Sequence, residues 1–166
     1  LVNHLGGSVV SAGPDRLLGA GLNGTPMIVA PGSTDMLDYP AWSEAPARFK
    51  DRPSHTHNRL IASVCIDEAM RRETAREIAA RIARARGPTH LVLPLGGIEE
   101  WDRPGAPLHD PSGLAAFFDE IVRAKLGGAE VSSLDAHIND ASFSEHVLAV
   151  FDQWLSRGLI KKSAHE

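Results

Sequence analysis

The sequence holds one cysteine, Cys65, among its 166 residues. A single thiol excludes an internal disulfide and any zinc site built on several cysteines. Positive charge is also short: 17 Lys and Arg face 21 Asp and Glu, for a formal net charge of -4. Binding driven by phosphate neutralisation draws on a basic excess, so nucleic acid is not an expected partner. Long apolar runs are missing. The longest uncharged stretch, residues 17–34, is broken by Gly19, Gly21, Asn23, Gly24, Pro26 and Pro31, so no membrane span is expected. The start of the chain has no basic segment and no small-residue cleavage site, and the expected location is cytoplasmic. Neither G-x-x-x-x-G-K-S/T nor a G-x-G-x-x-G following a strand occurs, so an autonomous ATP or NAD site has no support. No solenoid-type repeat is present.

What the chain does have is enough apolar content for a core: 43% hydrophobic against 23% charged residues. Its length fits a single α/β domain over residues 1–160 with a flexible tail at 161–166. The first residue is Leu1, and Leu1, Val2 and Leu5 precede a helix stop at Gly6-Gly7. That ragged start suggests a piece of a longer protein. Short apolar runs then alternate with helical patterns. Strands are expected at residues 8–11, 27–30, 60–66, 91–95 and 130–134. A helix opened by Gly13-Pro14-Asp15 carries Leu17, Leu18 and Leu22. The clearest helix follows Asp67, with Met70, Ala75, Ile78, Ala79, Ile82 and Ala83 on one stripe and Glu68/Arg72 and Glu77/Arg81 as i,i+4 pairs. Arginines 71, 72, 76, 81, 84 and 86, interleaved with glutamates, read as a solvated helix surface. Asp110-Pro111 caps a further helix, and a last one runs through Val147 to Leu155. Residues 33–58 and 98–110 read as long loops. The alternation predicts a Rossmann-like three-layer sandwich: a mostly parallel sheet with helices on both faces.

In such sheets ligands bind beyond the carboxyl ends of the strands, and every polar cluster of the chain falls there. Gly32, Ser33, Thr34 and Asp35 follow one strand and could cradle a phosphate or carboxylate, or form an ordinary turn. Gly96 and Gly97 follow another strand, with Trp101, Asp102 and Asp110 beyond them. Asp135, His137 and Asn139 follow a third, with Asn139 or Asp140 available to cap the last helix. His55, His57 and Asn58 close the first long loop. His55-x-His57 on an extended segment puts both rings on one face, which makes them the best metal candidates, with bracing of the loop as the alternative. The catalytic candidates are His57, His137 and Asp102; the other residues named here are ligand-binding candidates. Cys65, in the apolar run Val64-Cys65-Ile66, reads as a buried small hydrophobe.

Four ordered stretches carry a resemblance. They are Ser11 to Leu17 with Pro26 to Met36; His55-x-His57-Asn58; Trp101-Asp102-x-Pro104-Gly105-x-Pro107-x-x-Asp110-Pro111; and Asp135-x-His137-Ile138-Asn139-Asp140-x-x-Phe143. Together they resemble the uncharacterised bacterial and plant family related to the tomato mosaic virus resistance protein, over roughly residues 1–159. The resemblance implies that this chain is the C-terminal half of a two-domain protein. It implies ATP, with magnesium, bound by an N-terminal region outside this chain, so little ATP affinity is expected of the chain alone. The family's Arg-Thr-Thr run after the His-Asn motif is replaced here by Val64-Cys65-Ile66-Asp67.

The expected function is therefore a ligand-binding α/β domain forming one wall of an inter-domain cleft for a nucleotide or a phosphorylated or carboxylated small molecule. The missing N-terminal domain is its expected partner, and a homo-oligomer is left open. A metal-assisted hydrolase using the His/Asp cluster and a non-catalytic interaction module are the alternatives.

Overall fold

The computed structural model describes residues 1–160; the expected tail at 161–166 lies outside the described residues. Helix α1 (Val2–Leu5) and helix α2 (Leu18–Leu22) precede strand β1 (Met27–Val29). Strands β2 (Met36–Pro40), β3 (Ser54–Thr56) and β4 (Ile61–Cys65) follow, then helix α3 (Glu68–Ile82). Strand β5 (Thr89–Pro94), helix α4 (Pro111–Arg123), strand β6 (Glu130–Leu134) and helix α5 (Ala141–Ser156) complete the order.

The fold is α/β, with an open parallel sheet ordered β1-β5-β6. Strand β5 is central and buried at all six positions, as its unbroken apolar run suggests. Alternation sends Leu91 and Leu93 to one face, where they pack with Ala75, Ile78 and Ile82 of α3 and Phe117 and Ile121 of α4. Helix α5 lies against the other face. There Ser132 Oγ on β6 bridges Nε2 of His90 on β5, at 2.9 Å, and Nε2 of His146 on α5, at 2.8 Å. Among the described residues no helix is long and apolar enough to cross a membrane.

The second sheet is antiparallel, ordered β2-β4-β3. It draws two short strands, β2 and β3, from the expected loop at 33–58 and also takes the run at 60–66, which therefore does not join the parallel sheet. Its paired positions divide between two faces. Leu37 and Val64 pack with Val2, Phe49 and Met70, while Met36 and Cys65 pack beneath Leu108. The expected strand at residues 8–11 is absent. This segment is a turn with Val9 80% exposed, and Ser8 Oγ ties it to the Asp38 carbonyl instead of a strand partner. The helix expected from Gly13 shortens to Leu18–Leu22 because Leu17 has φ +69°, outside helical backbone.

The caps on α3 and α4 are well formed. Asp67 accepts from Met70 N–H, and Asp110 accepts from Gly113 N–H. At α5, Asp140 holds the cap position without a side-chain cap bond. Its carboxylate takes the His137 N–H and Arg103 instead.

Candidate functional site

Asp35 sits where the two sheets meet, and the site grows from that junction. It leaves β1 through residues 30–34 and enters β2, and its carbonyl accepts from Ile66 N–H at the end of β4. The three loops beyond the parallel strands are laced by backbone hydrogen bonds. Ser33 N–H donates to Ile98 O, Gly96 N–H to Ala136 O, and Ile138 N–H to Gly97 O. The antiparallel hairpin reaches the same edge through an aromatic contact: His55 stacks on Trp101 with ring centroids 4.0 Å apart, and His57 meets it edge-on at 5.4 Å.

Inside this edge lies a group of buried charges. Asp35 is 1% exposed, Glu99 4%, and Asp102 is buried with them. One carboxylate oxygen from each lies within 4.8 Å of the others. Arg71, on the first turn of α3 and 2% exposed, reaches Asp35 at 3.8 Å and Asp110 at 3.2 Å. A cavity of about 150 Å³ opens beside them, lined by Asp35, Arg71, Asp102, Asp110, the Gly96 backbone and the apolar walls Leu95, Leu108 and Leu114. Asp35 Oδ1, Glu99 Oε1 and Arg71 Nε are buried with no hydrogen-bond partner. Buried polar atoms are nearly always paired, so three orphans in one place mark it out from the rest of the core.

The electrostatics follow from burial. Loss of water pushes the Asp35 carboxyl up to about 6, against the opposing pull of Arg71. Burial likewise pushes Glu99 up to about 7, although its carboxylate accepts the Trp101 N–H. Asp110 behaves differently. Partial burial pushes it up, but bonds from Gly113 N–H and the Ser112 hydroxyl, with Arg71 and Arg52 nearby, hold it below the ordinary value. Asp102 is held at both oxygens, with acceptor capacity left over: Oδ2 accepts Ile98 N–H at 2.6 Å and Oδ1 accepts from His137 Nε2 at 2.9 Å. His137 Nδ1 takes the Asn139 N–H, so Nε2 carries the proton and shares it between Asp102 and the Glu99 carbonyl. Both ring nitrogens of His137 are thus occupied inside the protein, which suits positioning of Asp102.

The remaining residues singled out from the sequence divide by what they touch. Gly96 and Gly97 let the β5 loop cross the 135–140 turn. A Cβ on Gly96 would lie 2.9 Å from His137 N, and one on Gly97, where φ is +135°, would strike the Asp102 carboxylate and the His137 ring. Thr34 Oγ1 donates to Pro31 O, closing a local turn, and Gly32 and Ser33 are exposed. Asn58 Oδ1 accepts from Leu60 and Ile61 N–H and so shapes the β3–β4 hairpin. Asn139 donates to Glu100, and Asp135 is exposed. His55 and His57, with centroids 6.1 Å apart, lean on Trp101 and stand apart from the carboxylate group. Cys65 is buried, and loss of water raises its thiol to about 11, so it stays protonated.

Two residues of the group were not among the expected site residues. Glu99 carries no local signal, since it neighbours the exposed Glu100 in an irregular segment. Arg71 overturns the reading of the α3 arginines as one solvated surface, and so does Arg81, 6% exposed. The spacing held the signal: Arg71, Ala75, Ile78 and Ile82 are 4, 3 and 4 apart, which is the core stripe itself.

The comparisons bear on the whole chain. Residues 1–155 match the family described as "Uncharacterised protein family (UPF0261) C-terminal domain". A UPF0261 protein of Brucella melitensis biotype 1 is 49% identical over 162 residues, covering 98% of this chain and 39% of the relative. A UPF0261 protein of Clostridium tetani is 28% identical over 139 residues, covering 83% of this chain and 34% of the relative. The ToMV resistance protein Tm-1(GCR237) of Solanum lycopersicum is 26% identical over 142 residues, covering 84% of this chain and 18% of the relative. The chain therefore spans about two-fifths of the length of the Brucella relative. It belongs to the UPF0261 family, as that family's C-terminal domain.

Proposed function

We propose that this domain binds an anionic small molecule, a carboxylate or a phosphate ester, in the cavity at the junction of the two sheets. Arg71 carries the reading: a buried guanidinium lines the cavity with Nε left unpaired. Burying a charge costs several kcal/mol, roughly, unless partners compensate it, and an unmatched donor beside open space is most simply matched by a ligand acceptor. The guanidinium fork suits carboxylate and phosphate oxygens. The site lies where parallel α/β sheets place their ligands. In this reading the rest of a longer protein supplies the opposite wall, since the bacterial relatives extend well beyond the matched region. His137 and Asp102 act as a positioning pair.

Thermal-shift and calorimetric titration of the full-length protein with inorganic phosphate, nucleoside phosphates and dicarboxylates tests this. A ligand of the folded state raises its midpoint. Arg71→Lys keeps the charge, loses the fork, and is expected to weaken binding about tenfold. A hit that binds Arg71→Lys as tightly as the parent, or no hit in any of the three classes, overturns the reading.

A further inference from the structure

We infer that Asp35, Glu99 and Asp102 form a binding site for one small hard divalent cation, of the magnesium or manganese type, beside the anion cavity. The inference rests on the reading of that cavity as the functional site and adds the ion that lets an anion enter it.

The first argument is geometric. Three carboxylates from three separate segments, all nine-tenths buried or more, bring one oxygen each within 4.8 Å of the others. That spacing suits oxygens sharing a single ion. Two of the three side chains, Asp35 and Glu99, also keep an oxygen with no partner at all.

The second is a count of charge. His137 is engaged at both ring nitrogens, by Asn139 N–H at Nδ1 and by Asp102 and the Glu99 carbonyl at Nε2. Arg71 is the nearby cation paired with Asp35, and it is shared with Asp110, which Arg52 reaches from outside at 3.6 Å. Three buried carboxyl groups therefore share one neighbouring guanidinium. A divalent ion bound between them would hold all three ionised and remove the repulsion an entering anion would otherwise meet.

The third concerns the kind of ion. All donors are carboxylate oxygens, the set hard cations prefer. The nearby nitrogen donor is withheld, since both ring nitrogens of His137 are engaged within the protein. The adjoining cavity leaves room for water or ligand oxygens to complete the coordination. The Asp102–His137 bond and the glycines packed against it hold one ligand in place, as outer partners do at metal sites.

The test is calorimetric titration of EDTA-stripped full-length protein with Mn2+ alone, with free Mn2+ followed by electron paramagnetic resonance. One saturable site per chain is expected. Asp35→Asn and Glu99→Gln, which keep side-chain shape, are each expected to weaken it at least about tenfold, whereas Glu145→Gln, exposed on α5, leaves it unchanged. Circular dichroism and the melting midpoint without metal verify that each variant is folded. If Asp35→Asn does not fold, Glu99→Gln alone decides. Absence of a saturable site, or an affinity untouched by the folded carboxylate variants, overturns the cation site even if the anions bind metal-free protein. A Mn2+ site with these properties in a protein that binds none of the anions supports the cation and overturns the cavity reading instead.

Discussion

Helix α3 buries two arginines, and their surroundings are opposite. Arg81 near its C-terminal end is closed in by acceptors. Its guanidinium reaches the carbonyls of Pro14 and Arg16, the latter at 2.9 Å, and the Glu77 carboxylate at 2.7 Å. It staples the residue 14–16 loop to the helix. Arg71 near the N-terminal end faces two carboxylates at 3.8 and 3.2 Å, beside an open cavity, with Nε idle. The difference separates a buried charge that finishes a fold from one that leaves a fold unfinished. A structural arginine is matched by backbone carbonyls, which do not move away. A binding arginine keeps unspent donors toward space a ligand can fill.

The sharpest way to break this comparison is to truncate both. Arg81→Leu strands two carbonyls and is expected to cost about 3 kcal/mol in urea unfolding, because removing one partner of a buried polar network leaves the others unpaired. Arg71→Leu is expected to cost less, about 2 kcal/mol. Asp35, already raised to about 6 by burial, takes up the balancing proton when its cation is removed. The cost of Arg71→Leu should accordingly grow as pH rises and Asp35 is forced to ionise. If Arg71→Leu proves the more destabilising, Arg71 is a structural residue and the contrast collapses.

How much of this was legible in the sequence also divides along the helix. The stretch from Asp67 to Ile82 is readable because cap, stripe and i,i+4 pairs agree, and β5 is readable as an apolar run between punctuators. Asp35, Asp102 and His137 were within reach because each follows a parallel strand. The antiparallel sheet was not. Ser54–Thr56 is three residues long and wholly polar, and Met36–Pro40 ends in proline. Both are strands only because β4 pairs with them on either side. Arg71 and Arg81 were hidden by their chemistry, since arginine is presumed exposed even at a core position. Glu99 is placed by the path of its loop, which no local pattern encodes.

A smaller test concerns how the open end of α3 is held. Asp67 caps it through Met70 N–H and receives Arg48 at 2.9 and 2.8 Å. Partial burial pushes its carboxyl up, but the bonds from Arg48 and Met70 hold it below its ordinary 3.8. Asp67→Ala is expected to cost about 1 kcal/mol at neutral pH. A depressed folded value means the contribution is present above 3.8 and is lost as pH falls through the lower folded value. The gap between parent and variant should stay constant from neutral pH down to mildly acidic conditions and then close. A gap that widens on acidification would contradict the assignment.

The smallest effect lies between the arginines. Thr74, one turn beyond Arg71, is fully buried, and its hydroxyl has no partner. Valine has nearly the same shape and helix preference. Thr74→Val removes an unsatisfied buried hydroxyl without opening a cavity, and is expected to stabilise the protein by roughly 0.5–1 kcal/mol in urea unfolding. The comparison makes this informative, because Thr74, unlike Arg71, does not line the cavity. If its hydroxyl is an ordinary defect of packing, the valine variant gains stability and binds the cavity's anion as the parent does. If Thr74→Val instead loses stability, or loses binding while staying folded, the hydroxyl belongs to the same network as Arg71. The open region would then extend a full turn further along α3 toward the closed end.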